Sequence, residues 1–388
     1  MAKVHALPFA CALLEAHGKS VHVHTSPHLV QWHERFRLAG KFVDDLILTD
    51  AIKRVAAANA GEHITVFEIL TAVMFVLFSE HPADVAIIEV GLGGRADATN
   101  IIEKPAASVI MPIGLDHEAY LGDTIEKIAA EKGGIIKRHV PLIIGAQPRS
   151  ETRDVLESIA VKLRSPTKIY GQDFHAYEEH GRMVFQGDTG LSDLPMPSLV
   201  GRHQIANAAA AIMAVRAAGF DLSDHEIEHA MGAVSWPARM QKLKLGPLTA
   251  LAPERSDLWL DGGHNPDAAV ACAEYLANLE ETVERPIFMI CGMINTKDAV
   301  GYFKPFEGLV RHVFTVPVPS SDAGVDPAIL SAQAIEAGLS AEPIDSVQNA
   351  LKILGDDWNV LERSPRILIS GSLYLAGDVL RDNQTPPE

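Results

Sequence analysis

Short runs of β-branched and other apolar residues alternate along the chain with longer segments in which apolar residues recur at helical spacing. This alternation is typical of a mostly parallel sheet connected by crossover helices, so the sequence predicts an α/β fold. The predicted strands are Val21–His24, Val85–Val90, Ser108–Ile113, Pro141–Ile144, Leu258–Leu260, Pro286–Ile290, Val313–Val316 and Arg366–Ile369. The predicted helices include Asp44–Ala58, Phe67–Phe78, Thr124–Lys137, Ile205–Ala218 and Pro266–Leu279.

The pattern changes in two places. Phe174–Glu178 and Met183–Gln186 flank a His-Gly-Arg turn and predict an antiparallel hairpin. After Gln241 the strand–helix alternation begins again, behind a break at Trp236-Pro237. We therefore predict a larger domain at residues 1–241 and a smaller α/β domain at residues 242–388.

Composition narrows the class of partner. The 388 residues include 33 Lys and Arg against 50 Asp and Glu, which gives a net charge of −17. This charge is spread along the chain and argues against nucleic acid or an anionic membrane as a partner. The longest apolar stretch, Thr71–Phe78, is far shorter than the roughly 20 residues that a membrane helix needs. The three cysteines form no C-x-x-C pair, which is typical of a reduced, cytoplasmic protein.

A glycine-rich segment follows one of the predicted strands. Gly91-Leu-Gly-Gly-Arg-Ala96 fits the G-x-G-x-x-A pattern of dinucleotide-binding turns. That fingerprint must open a crossover helix, yet Asp97-Ala-Thr-Asn100 and Pro105 follow, and the next strand is predicted near Ser108. We therefore reject the dinucleotide interpretation. A glycine-rich turn without a ligand stays open as the alternative.

Polar residues stand at the ends of several predicted strands. Glu89 ends one strand and His117 follows the next, so a parallel sheet would bring both to its carboxyl edge, where α/β proteins bind ligands. Asp261 and His264 lie on a glycine-rich turn behind Leu258–Leu260. Lys132 lies on a predicted helix. Taken singly, each of these has a structural alternative. His117 also fits a hydrogen-bonded loop histidine, the Asp261 turn an Asx-type turn without a ligand, and Lys132 a solvated lysine.

Taken together, motifs along almost the whole chain resemble the folylpolyglutamate synthase and dihydrofolate synthase branch of the Mur ligase superfamily. These motifs are Ser26-Pro-His-Leu29, Glu34-Arg35, Thr65-Val-Phe-Glu68, Glu89-Val-Gly-Leu-Gly-Gly-Arg95, Asp97-Ala-Thr-Asn100, Leu115-Asp-His117, Glu131-Lys132, Gly201-x-His-Gln204, Asn207-Ala208, Trp236-Pro-Ala-Arg-Met-Gln241, Asp261-Gly-Gly-His-Asn-Pro266, Gly292-Met293, Lys297-Asp298 and Gly371-Ser-Leu-Tyr374.

The resemblance implies ATP-dependent ligation of L-glutamate to dihydropteroate or to a reduced folate. In this reaction a substrate carboxylate attacks the γ-phosphate of ATP, and the amine of glutamate then displaces phosphate from the acyl phosphate. Bound Mg²⁺, two ions by the resemblance, would neutralise the triphosphate and the transferring phosphoryl group. The resemblance also implies a Mur-type ATPase domain and a Rossmann-like C-terminal domain. We expect a monomer, although the sequence does not determine the oligomeric state.

Residue roles carry over from the same resemblance. The implied magnesium ligands are Ser26, Glu89 and His117, although histidine is an uncommon ligand for Mg²⁺. Lys132 matches a lysine that the family carbamylates, which would give it a carboxylate-like group facing the metal. The implied nucleotide contacts are Lys3, Asn207, Arg239, Asp261 and His264, and the implied catalytic residues are Lys132, His264 and Asp261. The implied substrate contacts are Thr65, Val66, Phe67, Glu68, Ala96, Asp97, Ala98 and Ser372.

The chain departs from the family pattern in several places. Val66 replaces an aromatic residue that the family often carries, and Ala238 and Gly263 stand where glycine and alanine are usual. The family opens with a strand and a Gly-Thr-Asn-Gly-Lys-Gly-Ser/Thr phosphate loop, whose last positions fall here on Ala2-Lys3-Val4-His5. From this we expect an N-terminally truncated ligase whose ATP binding is impaired.

Two other functions remain open at this point. One is a Mur-type ligase that acts on a cell-wall precursor, against which Ser26-Pro-His-Leu29 and Ala96–Ala98 argue. The other is a catalytically inactive folate-binding paralogue. Val4 and His5 favour the inactive paralogue, whereas the intact metal and second-domain motifs oppose it.

Overall fold

The structure, a computed structural model, describes residues 6–188, 190–358 and 363–387. These residues form two compact units. The first unit contains residues 6–198 and His203–Ser235, and the second contains Leu199–Arg202 and residues 236–387. The main division between the units therefore falls between Ser235 and Trp236, whereas the sequence places the domain boundary after Gln241.

The first unit is built from ten strands and eight α-helices among the described residues. Its strands are β1 (Val21–His24), β2 (Phe36–Leu38), β3 (Lys41–Phe42), β4 (Val85–Ile88), β5 (Ser108–Ile110), β6 (Leu142–Ile144), β7 (Thr167–Ile169), β8 (His175–Glu179), β9 (Arg182–Gly187) and β10 (Gly190–Pro195). Its helices are α1 (Leu7–Ala16), α2 (Asp45–Asn59), α3 (Val66–Glu80), α4 (Glu118–Leu121), α5 (Ile125–Lys132), α6 (Ser150–Leu163), α7 (His203–Ala217) and α8 (Asp224–Ala233).

The strands of the first unit form three sheets. The first has the order β3-β2-β1-β4, in which β1 pairs parallel with β4 and antiparallel with β2. The second is the parallel sheet β5-β6-β7, and the third is the antiparallel sheet β10-β9-β8. The predicted hairpin at residues 174–186 is thereby confirmed as β8 and β9.

The core of the first unit lies between these sheets and their helices. α2 and α3 pack together, with a cluster of buried apolar residues that includes Leu48, Val73 and Met74. A second cluster joins α5 and α6 to the β5-β6-β7 sheet. Capping explains where α3 begins: Thr65 precedes the helix and accepts a hydrogen bond from the backbone of Glu68 in a capping box.

The second unit is one six-stranded sheet with helices around it. Its order is β11-β12-β16-β13-β14-β15, and every neighbouring pair is parallel except β11 with β12. The strands are β11 (Gln241–Lys242), β12 (Asp257–Leu260), β13 (Ile287–Cys291), β14 (His312–Thr315), β15 (Ala341–Pro343) and β16 (Arg366–Ser370). The helices are α9 (Pro266–Thr282), α10 (Ala299–Phe303), α11 (Pro327–Glu336), α12 (Val347–Asp357) and α13 (Leu373–Asp382).

The sheets correct one expectation. Among the described strands, β4 and β5 lie in different sheets, so Glu89 and His117 do not follow neighbouring strands of one sheet as predicted. In the part of the chain that the structure describes, no helix has the length and apolar character to span a bilayer.

Candidate active site

Two predicted metal ligands lie together where β1 and β4 end. The parallel register pairs His24 with Ile88, so the residues that follow each strand emerge at the same edge. The backbone N–H of Ser26 donates to Oε2 of Glu89 at 2.8 Å, and the backbone N–H of Glu89 donates to the carbonyl of His24 at 3.0 Å. Ser26 is only 8% exposed. This edge therefore holds the Glu89 carboxylate against the backbone of Ser26, the residue that carries the hydroxyl group.

The segment that carries Ser26 is fixed by residues to which the sequence analysis gave no role. The carboxylate of Glu34 accepts hydrogen bonds from three successive backbone N–H groups, those of Leu29, Val30 and Gln31. The Arg35 guanidinium donates from Nε to His28 at 2.9 Å and lies 5.1 Å from the centre of the Trp32 ring. Glu34 and Arg35 are part of a motif that carries the family resemblance, but only their contacts in the structure show that they hold the Ser26 segment in place.

Two histidines of this segment are held neutral. Burial lowers the pKa of His24 to about 4, and burial together with the Arg35 charge lowers the pKa of His28 to about 4. His24 donates from Nδ1 to the Arg35 carbonyl at 2.9 Å, which fixes its tautomer. No positive charge from these two rings therefore opposes a cation beside Glu89 at neutral pH.

The glycine-rich turn is fastened to the end of the helix that carries Lys132. The backbone N–H of Arg95 donates to the Glu131 carbonyl at 2.9 Å, and its Nη2 binds the Glu131 carboxylate at 2.6 Å. A Cβ on Gly94 would lie 2.8 Å from the carbonyl oxygen of Lys132, so only glycine permits this approach. Lys132 is the last residue of α5, so the glycine-rich turn passes directly against its backbone.

The secondary structure also tests the rejected dinucleotide interpretation. No helix follows the glycine-rich turn within residues 91–107, all of which the structure describes. The turn instead folds back through Asp97, whose carboxylate accepts from the backbone N–H groups of Leu92 at 2.8 Å and Thr99 at 3.0 Å. The absence of a crossover helix confirms that this is not a dinucleotide-binding fingerprint.

His117 lies on an exposed turn before α4. Its backbone is left-handed, with φ of 55°, and its N–H donates to Oδ1 of Asp116 at 2.9 Å. The imidazole is 38% exposed, and its Nε2 is 3.9 Å from Oδ2 of Asp116. Within the described residues, no group of three or more His, Cys, Asp or Glu side chains gathers closely enough to form a metal site by itself.

The predicted substrate segments lie at the start of α3 and in the glycine-rich turn. Glu68 accepts from both the backbone N–H and the hydroxyl of Thr65, and these hydrogen bonds lower the pKa of its carboxyl. Val66 is 65% exposed, Phe67 is half-buried against Gly91, and Ala96 is exposed. Glu68 and Asp97 each accept hydrogen bonds from their own segment. The partly exposed ring of Phe67 is therefore the group in these segments best placed to contact a ligand.

In the second unit, Asp261 joins two predicted nucleotide-binding segments. Its Oδ2 accepts from the backbone N–H of Met240 at 2.8 Å, and its Oδ1 accepts from that of Gly263 at 2.7 Å. Arg239 lies between two residues with positive φ, Ala238 at 53° and Met240 at 39°. Asp261 therefore connects the segment that carries Arg239 to the turn at Gly262-Gly263 and sets their relative position, a role that we call a brace.

The remaining predicted residues lie in several places. His264 precedes α9 and has Nδ1 3.2 Å from the Gly262 carbonyl, and Ser372 caps α13 by accepting from the Tyr374 N–H at 3.1 Å. Asn207 belongs to the first unit, where its buried amide donates to Gln204 at 2.9 Å. The prediction for Lys3 lies outside the described residues.

Comparison with known proteins follows the same division. Residues 45–215 match the family described as Mur ligase middle domain, and residues 241–382 match Dihydrofolate synthetase, C-terminal domain. The folylpolyglutamate synthase of Lacticaseibacillus casei is 33% identical over 387 residues, which cover 95% of this chain and 84% of that protein. The chain belongs to the folylpolyglutamate synthase and dihydrofolate synthase family.

Solved structures of the family agree with the fold. The chain matches E. coli FolC in complex with DHPP and ADP with a TM-score of 0.85 and 27% identity, covering 96% of this chain and 84% of FolC. It matches the Yersinia pestis bifunctional enzyme complexed with AMPPNP and Mn ion with a TM-score of 0.83 and 27% identity, covering 97% and 85%. The predicted family, two-domain α/β fold and ATP-dependent ligase class are confirmed.

The role of Asp261 as a brace predicts the effect of a near-isosteric change. Asp261→Asn replaces one acceptor oxygen with an amide that faces a backbone N–H, so we expect the second unit to lose about 1–3 kcal/mol of stability. Thermal unfolding without ligand measures this loss. Glu274→Gln, an exposed position in the middle of α9, is the control and should unfold like the parent. Equal unfolding temperatures for all three proteins would contradict the brace.

Proposed function

We propose that this chain joins L-glutamate to the carboxyl group of dihydropteroate or of a reduced folate at the expense of ATP. A carboxylate oxygen of the acid attacks the γ-phosphorus and releases ADP, and the glutamate amine then attacks the acyl carbon, releasing phosphate and a proton. The observation that carries the proposal is the pairing of Ser26 with Glu89 at the ends of β1 and β4. Family membership supports it, since FolC is described with DHPP and ADP.

The donors at this edge fit a divalent metal ion. A serine hydroxyl and a carboxylate are hard oxygen ligands of the kind that Mg²⁺ prefers, and the neutral rings of His24 and His28 add no competing charge. We propose Ser26 and Glu89 as ligands, with His117 and a carbamylated Lys132 completing two Mg²⁺ sites. When bound, Mg²⁺ would neutralise charge on the triphosphate and the transferring phosphoryl group.

Residues of the second unit supply the polar groups for nucleotide and glutamate. The Arg239 guanidinium donates from Nη1 to the Ala238 carbonyl at 2.8 Å, while its buried Nε has no hydrogen-bond partner among the described atoms. A buried N–H of this kind favours a bound anion, so we assign Arg239 to the phosphates. We assign His264 to the phosphates and the incoming glutamate, and Ser372 to the amino-acid substrate. Asp261 acts by holding the backbone next to Arg239, at Met240, and the backbone next to His264, at Gly263.

The first-unit substrate residues form the acceptor site in this proposal. The half-exposed ring of Phe67 offers a flat apolar face to the heterocycle, beside Thr65, Val66, Ala96 and Ala98. Asp97 acts on the substrate through the loop that it fixes, because both of its oxygens accept hydrogen bonds from that loop. Glu68 holds Thr65 through Oε2.

The reaction is tested by offering labelled glutamate to a panel of acids. We expect transfer of label to dihydropteroate or tetrahydrofolate that requires ATP and Mg²⁺, with one ADP formed for each amide bond. The rate should be low, because Ala2-Lys3-Val4-His5 stands where the phosphate loop of the resemblance ends. A muramoyl peptide in the same panel is the control for Mur ligases of cell-wall synthesis and should remain unlabelled. Transfer to the muramoyl peptide, or the absence of ATP-dependent label on every pteroate and folate acid in the panel, would reject the proposal.

If the ring of Phe67 contacts the heterocycle, removing the ring should lower the affinity for dihydropteroate and leave the affinity for nucleotide unchanged. Phe67→Ala removes the aromatic face, so we expect binding of dihydropteroate to weaken about tenfold, whereas binding of ADP with Mg²⁺ should not change. Titration calorimetry measures both affinities. Leu46→Ala, an 80% exposed apolar residue on α2, is the control and should leave both unchanged. A larger effect of Phe67→Ala on ADP than on dihydropteroate would refute the assignment.

Carbamylation of Lys132 predicts a spectroscopic signature. Protein equilibrated with ¹³C-bicarbonate should give a carbamate carbon resonance that is absent in Lys132→Arg, because a guanidinium does not supply the neutral amine that the reaction requires. Lys127→Arg is the control, since Lys127 lies on the same helix, is exposed and pairs with Asp123. A resonance that survives in Lys132→Arg, or that is lost in Lys127→Arg, would place the modification elsewhere.

A further inference from the structure

We propose that Gly91 is a positioning residue for the acceptor site: the missing side chain at position 91 sets the ring of Phe67 at the angle needed to bind a flat heterocycle. The inference rests on the proposed function only in taking Phe67 as the surface on which the heterocycle lies. It adds that the loop following Glu89 determines the orientation of that surface.

The contact between the two residues is unusually close. A Cβ built on Gly91 would lie 2.6 and 2.7 Å from Cε2 and Cε1 of Phe67, and closer still to Cζ. Such atoms need more than 3.0 Å, so the tip of the ring occupies the space in which any other residue would carry its side chain. Gly91 is buried, and Phe67 remains half-exposed.

The backbone of Gly91 does not itself call for glycine. Gly93 in the same turn has φ of 68°, in the region that favours glycine, whereas Gly91 is not among the glycines with positive φ. Gly94 is required by its approach to the backbone of Lys132. At Gly91 the three atoms nearest to a built Cβ all belong to the ring of Phe67, so this ring is what first excludes a larger residue.

Both backbones are held, so a methyl group at position 91 must be accommodated by the ring. Phe67 lies in the first turn of α3, between the capping box at Thr65 and a hydrogen bond from the Thr71 hydroxyl to the Phe67 carbonyl at 2.9 Å. The turn after Gly91 is held by the Leu92 N–H, which donates to Asp97 at 2.8 Å. Rotation of Phe67 about its side-chain bonds is the softest response, and rotation tilts its free face.

This arrangement gives Asp97 an indirect role. Its carboxylate closes the turn that places Gly91 under the ring, and its own acceptors are directed at Leu92 and Thr99. Gly91 is also two residues from Glu89 in sequence. One short loop therefore carries both a proposed metal ligand and the support of the aromatic surface, which lets a single segment set two parts of the acceptor site.

The test combines two single variants with their double variant. We expect Gly91→Ala to weaken dihydropteroate binding about fivefold to tenfold, with ADP and Mg²⁺ affinity unchanged. In the Phe67→Ala background, where the space is open, Gly91→Ala should have no further effect. Gly232→Ala is the matched control, because a Cβ at this position in α8 meets no heavy atom within 4 Å. It should bind both ligands like the parent.

The outcomes distinguish failure of the positioning role of Gly91 from failure of the proposed function. A loss with Phe67→Ala but none with Gly91→Ala overturns the positioning role and leaves the acceptor site standing. An unaltered chain that binds no pteroate or folate overturns the proposed function. A crystal structure of Gly91→Ala then tests the positioning role without ligand: a rotated Phe67 ring supports it, and an unmoved ring overturns it. Additional weakening by Gly91→Ala in the Phe67→Ala background would also overturn it.

Discussion

The parallel pairing of β1 with β4 is the constraint on which the first-unit site depends. Because Val21 pairs with Val85 and His24 with Ile88, the two strands end at the same level and release Ser26 and Glu89 together. A shift of the register by one residue would displace Glu89 by about 3.3 Å along the strand, away from the Ser26 N–H that its carboxylate accepts from. The hydrogen bond from the Ser26 N–H to Glu89 then fixes the carboxylate beside the serine, before any ligand is bound.

Carboxylates that attract attention in the sequence mostly hold their own loops. Glu34, Glu68, Asp97 and Asp261 each accept backbone N–H groups from residues nearby in space. Acidic side chains favour such N–H groups in turns and at helix starts, so a carboxylate in a glycine-rich motif is as much a structural residue as a candidate ligand. At this site the distinction decides which residues touch the substrate and which only position those that do.

The sequence predicts the central strands well because they are short apolar runs between turn residues. Val21–His24 is found without change, and β12, β13, β14 and β16 lie within a residue or two of their predicted bounds. The sequence does not predict β2, β3, β7, β10, β11 and β15, and all of these except β2 lie at the edge of their sheet. Edge strands such as Gly190–Pro195 alternate weakly and resemble loops. The alternation of valine and histidine in β1 resembles a half-exposed strand, yet every residue of β1 is buried.

Contacts between residues that are far apart in the sequence limit how much of the candidate site the sequence can predict. Nothing in the local pattern shows that Arg95 binds Glu131, that Asp261 accepts from Met240, or that Phe67 lies on Gly91. The resemblance to a family identified most of these residues as important. It does not distinguish residues that contact a substrate or metal from residues that hold a loop in place, because a motif shows which residues occur and not which atoms they contact.

The second unit shows how a brace offsets local strain. Ala238 and Met240 both adopt positive φ, a conformation that costs a non-glycine residue about 1 kcal/mol or more. The Ala238 carbonyl accepts from the Gly262 N–H at 2.9 Å, and the Met240 N–H donates to Asp261. Two hydrogen bonds to one rigid turn therefore oppose the strain at the two left-handed residues. This explains how alanine is tolerated at position 238: the turn that holds Arg239 is specified by its hydrogen-bond partners in the second unit and not by backbone freedom alone.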